Sequence, residues 1–69
     1  MRKELIEASR LHYRAHIEKH RINVEVMLQK PLAVAEHADI MDAIEREIAA
    51  IAEYHDKLEV LDTYFANKE

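Results

Sequence analysis

The chain of 69 residues has no cysteine, no glycine, no tryptophan and a single proline. Each absence removes a class of protein. Without Cys there is no disulfide staple and no thiolate to hold a metal or attack a substrate. Without Gly there is no phosphate-cradling loop or dinucleotide fingerprint, and little material for tight hairpin turns, so a β fold is disfavoured. Ser9 is the only Ser and Thr63 the only Thr, and neither has a motif around it, so nucleophilic catalysis is not expected. No apolar run reaches the roughly 18 residues that a membrane span needs. The opening MRKELIEASR lacks a signal-peptide core. The expectation is an intracellular, cytoplasmic protein that touches no membrane.

What is present is helix-forming. Hydrophobic residues make up 49% of the chain and charged ones 35%, which is the mixture of long amphipathic helices, not of a disordered tail. The net charge of −4 argues against nucleic-acid binding. That charge is divided unevenly. Residues 1–35 carry seven Lys/Arg against four Asp/Glu, and residues 36–69 carry three against ten, so the halves are +3 and −7. A basic helix laid on an acidic one is the plain reading.

The pattern predicts an all-α fold: an antiparallel two-helix hairpin in a single domain, with helices at about 2–29 and 38–66. Helix formers run without a breaker up to Pro31, which disfavours helical geometry at Lys30. Residues 31–37 form the connection. Asp39 serves as the N-cap of the second helix, with Asp42 adding negative charge to its first turn.

The second helix has an apolar seam of Met41, Ile44, Ile48, Ile51, His55, Leu58 and Phe65, spaced by threes and fours. Ile40, Tyr54 and Leu61 widen it on one edge and Ala52 on the other. The first helix has two stripes. One holds Ile6, Tyr13, Ile17, Val24, Met27 and Leu28; the other, nearly opposite, holds Ala8, Leu11, Ala15, Ile22 and Val26. A helix with apolar stripes on two sides has two neighbours. A hairpin supplies one. Self-association supplies the other, most simply as a C2 dimer forming a four-helix bundle. The residues expected at interfaces are Ile6, Tyr13, Ile17, His20, Val24, Met27, Met41, Ile44, Ile48, Ile51, Leu58 and Phe65.

Between the two stripes of the first helix lie Ser9, His12, His16, His20 and Asn23. His12, His16 and His20 are four residues apart, so their imidazoles form a ladder on one face. Paired histidines at that spacing suit one tetrahedral metal. Antiparallel pairing about the Pro31 connection makes facing residue numbers add to about 68, which sets His55 near Tyr13 and Glu59 near Ser9. His12, His16, His55 and Glu59 then make a possible zinc set. Against it, no Glu-x-x-His motif is present, and a lone seam histidine such as His55 is more often a hydrogen-bonded core residue than a ligand. No cofactor is therefore expected, with zinc as the alternative. A third reading is assembly that loosens on acidification, if the ladder faces its own copy. Asp62, the one carboxylate within the apolar arc, is expected to pair with Arg10 or Lys3. The basic line of Lys3, Arg10, Arg14 and Arg21 is interleaved with Glu7, Glu18 and Glu25 and reads as a salt-bridged face.

The stretch NVEVMLQKPLAVAEHADIMDAIEREIAAIAEYHDKLEVL has a recognisable order: an NVEV helix end, a Pro, a loop ending Glu36–His37, then Asp39–Ile40 opening an acidic helix. Over residues 23–65 it resembles small proteins of unknown function encoded by tailed phages of marine cyanobacteria. The resemblance implies a phage accessory or virion-associated protein with a host or virion partner. It carries no catalytic residues with it. The expected function is a non-enzymatic helical interaction module, with a metal-binding bundle as the alternative.

Overall fold

The computed structural model describes residues 1–29 and 37–66. It is an all-α helical hairpin. Helix α1 spans Arg2–Gln29 and helix α2 spans His37–Leu61; a π-helical turn, Asp62–Ala66, follows α2 directly. Residues 30–36, with most of the expected connection, lie outside the described residues. Helix α2 begins at His37, before Asp39, so Asp39 is not the N-cap. It stands in the first turn, where its charge still favours the helix terminus.

The helices run antiparallel. Arg2 Nη2 donates to the Phe65 carbonyl at 2.7 Å, Arg10 Nη2 to Asp62 Oδ1 at 2.7 Å, and His20 meets Glu47, so numbers rise along α1 as they fall along α2. This is the expected register to within a turn. The Arg10–Asp62 pair is also the one expected. Asp62 and Glu7 both accept from Arg10, and these bonds, Asp62 foremost, hold the guanidinium above its ordinary pKa. Solvent screening at the seam edge keeps the contribution of such a pair to stability small.

No described residue is fully buried. The hairpin measures 54 × 15 × 12 Å, with a radius of gyration of 16.0 Å against about 11 Å for a compact chain of this length. The covered strip of α1 includes Ile6, Tyr13, Ile17, His20, Val24 and Met27, all half-buried. Its first stripe thus faces α2, apart from exposed Leu28; its second is exposed throughout.

On α2 the contact strip is Ile40, Ile44, Glu47, Ile51, Tyr54, Leu58 and Leu61. This is a heptad seam, rotated by about 50° from the expected one. Ile40, Tyr54 and Leu61, expected at the edge, move to the centre. Met41, Ile48 and His55, expected in the seam, are exposed. The reason is polar: Glu47 turns inward to meet two side chains of α1. Phe65 is also exposed, at 51%. A π turn advances less per residue than an α turn, and it swings Phe65 off the seam.

Candidate functional site

The middle of the seam holds a polar and aromatic cluster where an apolar core would be expected. Glu47 is its hub. Its Oε2 lies 2.5 Å from His20 Nδ1, and its Oε1 accepts from Asn23 Nδ2 at 2.8 Å. The His20 and Glu47 side chains are 17% and 19% exposed, the most shielded His–carboxylate or charged pair among the described residues. A carboxylate accepts from His20 only when Nδ1 carries the proton, so Glu47 selects that tautomer. The same bonds, His20 first and Asn23 second, hold the Glu47 carboxyl below the ordinary range. One carboxylate satisfies two donors that would otherwise enter the interface unpaired.

About two turns along α2 from Glu47, Tyr54 lies against the ladder. Its ring stacks on His16 at 4.4 Å with an interplanar angle of 8°, and on His20 at 6.3 Å. The Tyr13 ring lies 6.3 Å from that of Tyr54, tilted by 37°. The Lys57 ammonium sits 4.8 Å from the Tyr54 ring centroid, within cation–π range. Tyr54 and Glu47 stand one heptad apart, which places both on the face turned to α1.

His16 is held in its neutral form. Desolvation is the largest cause of its lowered pKa, followed by the positive charges of His12, Lys19, His20 and Lys57. The sign of the consequence is fixed. The unfolded chain takes up the His16 proton first, near 6.5, so stability falls as pH drops through that value. The Glu47 contribution is complete above 4.5 and is lost below it, as pH passes through the depressed folded value. We therefore expect two steps in melting temperature between pH 8 and pH 3. His16→Phe, which keeps a stacking ring and removes the proton, abolishes the first step and leaves the second. An unchanged profile in that variant would reassign the first step.

The four residues of the zinc set are placed apart. His12 and His16 are neighbours, with ring centroids 4.6 Å apart and nearly perpendicular planes. His55 lies one heptad before Asp62, on the hairpin edge closed by Arg10. His12 flanks the opposite edge, beside Ser9 and His16. His55 and Glu59 are exposed. Among the described residues, no group of three or more His, Asp or Glu side chains stands close enough to hold a metal ion. No described helix is long and apolar enough to cross a membrane.

Sequence reasoning missed Glu47 as a seam residue because a search for apolar periodicity skips a carboxylate. The signal was present. Ile40, Ile44, Ile51, Tyr54, Leu58 and Leu61 already keep heptad spacing, and the vacant rung between Ile44 and Ile51 is Glu47. Its partners were in view as the polar sector of α1.

Comparison with family models, curated proteins and solved structures finds no match for this chain.

Proposed function

We propose that the chain is a small non-enzymatic interaction module: a helical hairpin that works by self-association, in the simplest case as a dimer of four helices. Surface area carries the reading. The hairpin exposes 5470 Å², where a folded monomer of 8.1 kDa exposes about 4500 Å². The excess, about 1000 Å², is near the 800 Å² or so that one partner contributes to a standard interface. Much of what α1 exposes is large and apolar: Leu5, Leu11, Ile22 and Val26 are each more than half accessible. Apolar surface of that extent on a long helix marks an interface.

The polar cluster fits this role. In a thin two-helix seam, one satisfied polar hub sets register, because a one-turn slip would strand Glu47 and both its donors. The module is then a hairpin whose own pairing is fixed and whose outer faces are free to bind. The resemblance over residues 23–65 adds a setting, that of a phage accessory or virion-associated protein in the cytoplasm of an infected bacterium.

Light scattering tests the reading. At tens of micromolar the expected mass is twice that of the chain. The melting temperature should also rise with protein concentration, because association stabilises only the folded form. A monomer whose melting is independent of concentration overturns the proposal.

A further inference from the structure

Helix α1 carries two heptad seams, and α2 covers one of them. The covered seam includes Ile6, Tyr13, His20 and Met27. The second runs Leu5, Ala8, His12, Ala15, Lys19, Ile22, Val26, in alternating steps of three and four. Every residue of this second seam is exposed. A sustained heptad on an uncovered face fits another helix.

We propose that the second seam is the subunit interface, and that it packs antiparallel on the same seam of a second copy about a two-fold axis at Ala15. The inference rests on the self-association reading and states which face is used and in which direction.

The order of side chains favours a second copy in this orientation. Ala15 is the middle rung, with three rungs on each side. A two-fold there sets Leu5 opposite Val26 of the other copy, Ala8 opposite Ile22, and His12 opposite Lys19. Small faces large at Ala8–Ile22, and two alanines meet at the axis, where close approach of helices needs small residues. The polar rungs decide the direction. Antiparallel pairing sets the His12 imidazole, whose ring nitrogen without a proton can accept a hydrogen bond, against an ammonium that donates one. Parallel pairing would set Lys19 on Lys19 and Ile22 on Ile22, and would lose the match of small Ala8 with large Ile22. Repulsion between like charges at a seam position is the usual means of excluding an orientation.

The shape of the hairpin agrees. Beside the start of the seam is an open hollow of about 520 Å³, lined by Arg2, Leu5, Ile6, Ser9, Leu61 and Phe65. The π turn supplies one wall by swinging Phe65 outward. Ile22 and Val26, 51% and 62% exposed, stand as far beyond Ala15 as the hollow stands before it. The two-fold brings those side chains to the hollow at both ends. The α1 helices then lie at the centre of a four-helix assembly, with the acidic α2 helices outside and apart.

Single-cysteine variants test this directly, since the chain has no other thiol. With a short bis-maleimide, Ala15→Cys is expected to convert most of the protein to a covalent dimer. Leu5→Cys and Val26→Cys, each alone, should remain largely monomeric in denaturing gels, whereas their mixture should cross-link. Ile48→Cys, on the exposed side of α2, should not link. Self-linking of Leu5→Cys and of Val26→Cys without the mixed product would overturn the antiparallel arrangement. An oligomer in which Ala15→Cys fails to link would overturn the choice of face while leaving self-association standing. A monomer by light scattering would remove both.

Discussion

Tyr54→Ala is expected to remove about 2–3 kcal/mol of stability, a large share of what the hairpin has. A fully buried aromatic costs about 3–5 kcal/mol on truncation to Ala, and a half-buried one roughly half of that. Tyr54 adds specific contacts: a parallel stack on His16 at 4.4 Å and tilted contact with Tyr13 at 6.3 Å. Aromatic pairs contribute about 0.5–1.5 kcal/mol beyond the area they cover. The margin available is small, because a single core in a chain of this size supplies no more than about 3–5 kcal/mol. No other described side chain touches three rings of α1. The measurement is urea unfolding followed by helical circular dichroism, with Tyr54→Phe as the control that keeps the ring and should stay near the parent. If Tyr54→Ala remains within about 0.5 kcal/mol of the parent, the stack contributes shape and not stability.

The position of Tyr54 shows what could be read from the sequence and what could not. The two helices, their approximate lengths and their antiparallel register followed from Pro31, from the absence of Gly and from heptad spacing. Helix α1 was expected to need two neighbours, and its two stripes are indeed treated differently, one against α2 and one open. Rotation of α2 about its own axis was the step that failed. Apolar counting centres α2 on Met41, Ile48 and His55. The structure centres it on Ile40, Glu47 and Tyr54, because a carboxylate with two donors to satisfy outweighs the burial of one more isoleucine edge. An Ile at a half-exposed position gains about 1 kcal/mol from closer contact. Two polar groups left without partners in the same interface cost more than that between them. Polar groups are invisible to a hydrophobic pattern, yet they select among its nearly equivalent rotations.

The zinc set depended on that same rotation. With His55 in the seam, His12, His16, His55 and Glu59 converge; with Tyr54 there instead, they separate onto opposite edges. Two of the ladder's three rungs lie against α2. His16 and His20 sit at an interface, as their place between two stripes implied, and their partners are an aromatic ring and a carboxylate. His12, the outermost rung, is left on the open seam. The ladder therefore bridges the two contact faces of α1: His20 is tied to the hairpin's own pairing and His12 stands on the proposed contact with a second copy.

The rotation of α2 can be checked by placing one charge at two neighbouring positions. Ile51→Asp should unfold the hairpin, with a loss above about 3 kcal/mol, because the new carboxylate enters the strip against α1. It also stands four residues after Glu47, and like charges at that spacing repel on one helix face. Ile48→Asp should change stability by no more than about 0.5 kcal/mol, since its site is already 52% exposed. The two positions are three residues apart on one helix and both lie in the apolar seam read from the sequence, so that seam predicts equal damage. The observed rotation predicts a large difference. Equal losses in urea unfolding would return Ile48 to the seam and displace Glu47 from it, and the His20–Glu47–Asn23 hub would fall with that result. Ile48→Asp should also leave the molecular mass in light scattering unchanged, because the face proposed to meet a second copy belongs to α1.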